Sequence, residues 1–257
     1  MKDSSTRHLA VFTRTDERVK PVSREYAEGQ VLPEHWHEAG QLIYASQGIM
    51  ELHCDQDIWV ISPQQALWMP AGRAHSLRAR SQVSLRTLFV HAQLDSHALA
   101  REPQSLLVTP LLRELILRAS PIDHDTPADS HQAHLITLLL DEVRWAQRLE
   151  LRLQMPRDSR LQKLCSGLLS TPGDKRSLAE WGQQVGASAR TLSRLFHTEL
   201  GSHFLLWRQQ VRVYTAIARL SQGEPIVRIA TDLGYDSAGA FSKAFRRLLG
   251  CSPRDYR

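Results

Sequence analysis

The sequence predicts two domains of different class. The first is an N-terminal β-sandwich or barrel followed by helices. The second is a C-terminal all-α domain with two helix-turn-helix units joined by a long helix. Three observations predict it. One set of apolar and turn residues occurs twice between Ser177 and Arg257. Short alternating runs broken by Gly and Pro fill Gln41–Val90. Charge divides along the same line: from Asp158 to the end there are 15 Lys/Arg and 8 Asp/Glu, against 17 and 19 from Met1 to Arg157. A basic C-terminal third beside a slightly acidic remainder suggests that one part alone meets a polyanion.

A length of 257 residues with 42% hydrophobic and 23% charged content suits one large or two modest packed domains. Cys54, Cys165 and Cys251 are far apart and form no CxxC pair, so they read as reduced thiols of a cytoplasmic protein. The apolar run Leu9–Phe12 is too short for a signal peptide, and no stretch approaches the ~18 apolar residues that span a bilayer. No membrane partner is expected.

Taken in order, residues 1–28 read as a polar arm with a strand near Leu9–Phe12. Met50, Leu52 and Cys54 then alternate with Glu51, His53 and Asp55, the period of a half-buried strand. Ile58–Ile61, Leu77 with Ala79, and Leu85, Thr87 and Phe89 mark further strands; closely spaced strands of this kind build a sandwich or barrel. Thr109 and Pro110 open a helix as N-cap and first-turn residue, with Leu111, Leu112, Leu115 and Ile116 along one face. Ser120–Ser130 reads as a loop. A second helix is expected from His131 to about Leu149, with Ile136, Leu139, Leu140 and Val143 at i, i+3, i+4 and i+7. These helices either pack on the barrel or pair with a second subunit, so a homodimer stays open. Gln154–Ser159 reads as a linker. The expected divisions are residues 1–107, 108–157 and 158–257.

In the C-terminal part, Leu178, Trp181, Val185 and Gly186 recur as Ile226, Ile229, Leu233 and Gly234, an offset of 48. Ser188, Leu192 and Phe196 recur as Ser237, Phe241 and Phe245, an offset of 49, so the second turn is the longer. The units span residues 178–199 and 226–248. Ser177 with Glu180 is a capping box, and Gly186, Gly201 and Gly250 end helices. Pro225 is expected in the first turn of its helix, and Gly234 at that helix's end. Phe204, Trp207, Val211, Tyr214 and Ala218 stripe a strut between the units, ending at Gly223. With the apolar positions turned inward, Arg190, Ser193, Arg194 and His197 of the first unit face a DNA groove. In the second, Ala238, Gly239, Ser242, Lys243, Arg246 and Arg247 do so. An arginine there can take guanine O6 and N7 in a bidentate contact, while later-turn arginines meet phosphates.

Residues Ile229-Ala230-Thr231-Asp232-Leu233-Gly234-Tyr235-Asp236-Ser237, with Phe241, Phe245, Gly250, Ser252 and Pro253, resemble the DNA-binding domain of AraC/XylS-family bacterial transcription regulators. That resemblance implies base contacts from Arg190, Ser193 and Arg194, and a contribution from Ala238, Gly239, Ser242 and Lys243. It also implies an N-terminal effector domain. Gly29, His35, His37, Gln41 and Gly48, followed by Pro70, Gly72 and His75, resemble the two motifs of the cupin superfamily, barrels of jelly-roll type.

The expected function is therefore a cytoplasmic, sequence-specific DNA-binding transcription regulator, not an enzyme. A small-molecule effector is expected at His35, His37, Gln41, Trp68 and His75. Promoter duplex is the expected partner, with RNA polymerase added if the protein activates. No cofactor is expected. The alternative is a transition metal on His35, His37 and His75, and with it a metal-dependent cupin enzyme fused to a DNA-binding domain. Against it, Gln41 stands where metal-binding cupins usually place a glutamate. Phosphate-binding glycine loops, GxSxG and HExxH are missing from the sequence.

Overall fold

The computed structural model describes residues 7–11, 19–91, 100–120, 131–149 and 152–256. They fall into two units: Met1–Asp55 with Trp59–Glu150, and Gln56–Ile58 with Leu151–Arg257.

The first unit is a double-sheet β structure. Its first sheet runs in the order β1 (Arg7–His8), β3 (Val31–Trp36), β8 (His75–Ala79), β5 (Met50–Cys54), β6 (Asp57–Ile61). The other runs β11 (Arg148–Leu149), β10 (Gln104–Leu107), β7 (Gln65–Met69), β4 (Gly40–Gln47), β9 (Val83–Val90), β2 (Val19–Tyr26). The inner faces meet through Ile43, Leu67, Met69 and Leu85 on one side and Met50, Leu52, Ile61 and Leu77 on the other. The second sheet is buried on both faces. Leu42 and Tyr44 of β4, Trp68 of β7 and Leu88 of β9 point outward and pack against α1 (Pro110–Ala119) and α2 (His131–Trp145). Period-two alternation thus serves two cores at once, and α1 and α2 belong to the barrel's own core.

Several expectations change here. The first strand is Arg7–His8, not Leu9–Phe12, and Phe12 lies outside the described residues. Most of the expected loop, residues 121–130, also lies outside them. Leu111 is half exposed, because Leu112, Ile116 and Ala119 form the buried stripe of α1. The second helix stops at Trp145, because Arg148–Leu149 pairs with Ser105 and Leu106 of β10. The expected middle division is split. Residues 108–120 and 131–149 group with the barrel and residues 152–157 with the C-terminal unit.

The second unit begins with β12 (Arg152–Gln154). Gln154–Ser159 is packed rather than a free linker. The Met155 amide donates to the Gln56 carbonyl at 2.7 Å, and the Arg157 and Asp158 amides donate to Glu199 at 2.7 and 3.1 Å. Asp158 then caps α3 (Ser159–Ser170). Two helix pairs follow: α4 (Leu178–Val185) with α5 (Ala189–Leu200), and α7 (Ile226–Asp232) with α8 (Ala238–Leu249). Between them runs α6 (Phe204–Ser221), and the chain closes in a 3-10 turn, Pro253–Tyr256. Ser177 and Glu180 form the expected capping box, and Ser188 and Ser237 accept from Thr191 and Ala240 amides. Gly186, Gly201 and Gly250 end helices in the left-handed conformation. Pro225 sits one position earlier than expected, at the N-cap, and α7 ends at Asp232 with Leu233 as its C-cap. Phe196, Phe204 and Trp207 pack as one aromatic group, and Phe241, Phe245 and Tyr256 as another. Truncating such a ring to alanine costs about 3–5 kcal/mol.

Candidate nucleic-acid interface and barrel site

Helix α5 buries Leu192, Leu195, Phe196 and Leu200 and exposes Arg190, Ser193, Arg194 and His197. Arg190 and Arg194 are one turn apart on that outward face. Helix α8 buries Phe241, Ala244, Phe245 and Leu249 and exposes Gly239, Lys243, Arg246 and Arg247, with Ala238 and Ser242 half-buried. Two of these side chains have prior engagements. The Ser242 hydroxyl donates to the Ala238 carbonyl at 2.8 Å, which leaves its lone pairs outward. The Arg247 guanidinium binds the Gln209 side-chain carbonyl on α6. The three residues between α4 and α5 become five between α7 and α8, so the second turn is the longer, as its sequence offset suggests.

The geometry that holds the units together was not anticipated from sequence. Arg212 of α6 is buried, and its guanidinium donates to three backbone carbonyls. These are Pro172 at 3.0 Å, Asp174 at 3.0 Å and Gly234 at 3.4 Å. It thereby links the turn before α4 to the turn between α7 and α8. Both turns need glycine at the junction. A Cβ on Gly173 would lie 2.2 Å from the Asp232 carbonyl oxygen. One on Gly234, whose φ is +75°, would lie 2.7 Å from the Gly173 oxygen and 2.9 Å from Arg212 Nη2. The sequence signal was an arginine set beside the apolar stripe of α6, next to Val211, where a charge needs buried partners.

In the barrel, His35, His37 and His75 come together with ring centroids 4.4 to 6.2 Å apart, joined by Gln41. His37 lies just past the end of β3 yet still points inward. Each ring presents Nδ1 to a backbone carbonyl: Pro33 at 2.8 Å, Ala39 at 2.6 Å and Arg73 at 2.9 Å. A carbonyl only accepts, so all three Nδ1 atoms carry the proton, and a neutral ring offers a lone pair at Nε2. Gln41 Oε1 lies 2.9 Å from His37 Nε2, and Gln41 Nε2 donates to the Thr87 hydroxyl at 2.8 Å. That arrangement suits a charged His37; the neutral ring requires the amide turned over. His75 Nε2 is buried without a partner. Trp68 does not join the group. It faces α1 and α2, and its indole donates to the Ala100 carbonyl at 2.9 Å.

A metal ion would find no anionic donor in this set. Gln41 supplies no charge and occupies His37 Nε2. Among the described residues, no group of three or more His, Cys, Asp or Glu is placed to hold one. Burial instead keeps the rings neutral. It lowers the pKa of His35 and His37, and pulls His75 down to about 3 from the usual value near 6.5. Because the folded value is the lower one, the unfolded chain binds the extra proton. The barrel's stability is then fully present above about pH 6.5 and falls as pH drops toward 3, by at most about 1.4 kcal/mol per pH unit for one ring. In denaturant titrations at successive pH values, His75→Gln is expected to flatten this acid limb. An unchanged slope would mean that His75 is already charged in the folded barrel.

The chain matches the family model described as a helix-turn-helix domain over residues 181–257, and that described as a cupin domain over residues 23–91. It is 30% identical over 248 residues to the HTH-type transcriptional regulator NimR of Escherichia coli strain K12, covering 96% of this chain and 86% of that protein. With the RCS-specific HTH-type transcriptional activator RclR of the same strain it shares 25% identity over 257 residues, covering 88% and 90%. With the strain's arabinose operon regulatory protein it shares 32% identity over 107 residues, 41% of this chain and 37% of that protein. No helix among the described residues is long and apolar enough to cross a membrane.

Proposed function

Because the chain belongs to the family of AraC-like HTH-type transcriptional regulators with an N-terminal cupin domain, we propose how it performs that task. Arg190, Ser193, Arg194 and His197 of α5 read one major groove. Ala238, Gly239, Ser242, Lys243, Arg246 and Arg247 of α8 engage the next, about one helical turn away. The observation that carries this reading is the shared design of the two helices. Each is capped by serine, buries its apolar face and exposes a basic one. A single chain then reads an asymmetric site, and two chains read repeats of it.

Control comes from a small molecule in the barrel, at His35, His37, Gln41 and His75. Two neutral rings, His35 and His75, offer Nε2 lone pairs while Gln41 holds that of His37. This favours a ligand that donates hydrogen bonds, and the unpartnered Nε2 of His75 supports it. Such a ligand shifts regulation only by preferring one arrangement of the protein over another. The reading is non-enzymatic, cytoplasmic and independent of a metal. Its further partners are a second copy of the chain, for which Leu138 and Trp145 of α2 offer exposed apolar area, and RNA polymerase where it activates.

Selection of bound duplexes from a random library with the full chain tests the reading. An asymmetric consensus is expected, bound with affinity that falls steeply with salt. Recovery of sequences indistinguishable from the input library would overturn specific regulation.

A further inference from the structure

The C-terminal unit holds a cavity of about 340 Å³ that the recognition helices do not account for. Lys175, just ahead of α4, lines it with Arg208 and Arg212 of α6 and the turn Gly234–Asp236. Three cations meet a single carboxylate there, Asp236, for a formal charge of +2. The nearby Asp174 is already held by Arg176, whose Nε donates to it at 2.8 Å. Backbone carbonyls occupy the guanidiniums without neutralising them: Arg208 donates to Arg176 at 3.0 Å, and Arg212 makes the three bonds described above. Among the described residues, Lys175, Arg208 and Arg212 form no ion pair with a carboxylate. The Tyr235 hydroxyl is buried without a hydrogen bond of ordinary geometry, with Gln209 as its polar neighbour. A pocket of net positive charge suits an oxyanion.

Its place in the unit narrows the ligand. Lys175 precedes the first helix of one reading unit, and Ala240, which also lines the cavity, lies in the first turn of α8. When both recognition helices sit in successive major grooves, a phosphate backbone has to cross between them. We propose that this cavity holds a DNA backbone phosphate, through Lys175 and Arg208, with Arg212 as fixed positive charge behind them. The proposal rests on the DNA-reading function above and adds a contact that sets register without reading sequence.

The test uses the full chain carrying Lys175→Ala or Arg208→Ala, the selected duplex, a scrambled duplex and inorganic phosphate. Each variant is expected to weaken both duplexes by the same factor, roughly tenfold. The slope of log affinity against log salt should become shallower by about 0.9, or about threefold less loss between 50 and 200 mM. Lys175 is exposed, so its variant should melt as the parent does. Unchanged affinity and slope in a normally melting Lys175→Ala protein would overturn the site, as would a change in base preference. Saturable binding of inorganic phosphate that Lys175→Ala abolishes, with duplex binding intact, would overturn DNA as the source and leave a free phosphorylated molecule. If the parent prefers no sequence, specific regulation fails separately, while equal weakening on both duplexes still supports the phosphate contact.

Discussion

Arg212→Ala is expected to destabilise the C-terminal unit by about 3–5 kcal/mol and to lower its melting temperature by at least about 10 °C. The reason is geometric. One guanidinium satisfies the carbonyls of Pro172, Asp174 and Gly234, and its removal leaves these half-buried acceptors short of their donor. Arg212→Lys should recover only part of the loss, because a single ammonium cannot reproduce a planar fork aimed at three oxygens. Gly234→Ala provides an independent route to the same joint. Its added methyl meets the Gly173 oxygen and Arg212 Nη2 inside ordinary contact distance, on a backbone with φ of +75°. Both substitutions loosen the link between the two reading units, so DNA affinity should fall even at temperatures where the protein remains folded. Thermal unfolding followed by circular dichroism, beside duplex binding below the transition, checks this. Arg212→Ala protein that melts within a degree or two of the parent would show that the three hydrogen bonds are not carrying the joint.

The difference between what the sequence revealed and what it hid follows from where each signal lies. Caps and turn glycines act within three or four residues, so Ser177, Ser188, Ser237, Gly186, Gly201 and Gly250 were legible as helix boundaries. The exposed faces of α5 and α8 followed from their apolar period. The imidazole group was legible because His35 and His37 share a face by alternation and His75 belongs to a second motif. Trp68 was not separable from them, since β7 is buried from end to end and alternation loses its contrast there. Pairing between distant segments leaves no local trace. Arg148–Leu149 pairs with β10 some forty residues earlier in the chain, and Met155 bonds to Gln56. The first ended a helix early and the second turned an expected linker into packed structure. Arg212 was hidden for the same reason, because its three partners come from two separate turns.

Arg190→Ala together with Arg194→Ala is expected to remove most sequence preference. Each arginine that contacts a base edge contributes about 1–3 kcal/mol of discrimination, so the pair should lower affinity for the selected site by roughly 10²- to 10⁴-fold. Binding to scrambled duplex should fall much less, because the phosphate contacts survive. Arg194→Ala alone should relax the preference at one position. The two residues sit one turn apart on α5, and their effects need not add. Lys243→Ala with Arg246→Ala should behave differently. The first turn of α8 presents Ala238, Gly239 and Ala240, which offer close backbone approach or thymine-methyl contact but few hydrogen bonds to bases. Its basic residues follow later in the helix, where phosphates are the nearer target. That double substitution should weaken selected and scrambled duplexes alike and make the salt slope shallower. Measuring both duplexes across a salt series separates the outcomes. If the α8 pair erased base preference while the α5 pair weakened all sequences equally, the assignment of reading to the first helix and anchoring to the second would be reversed.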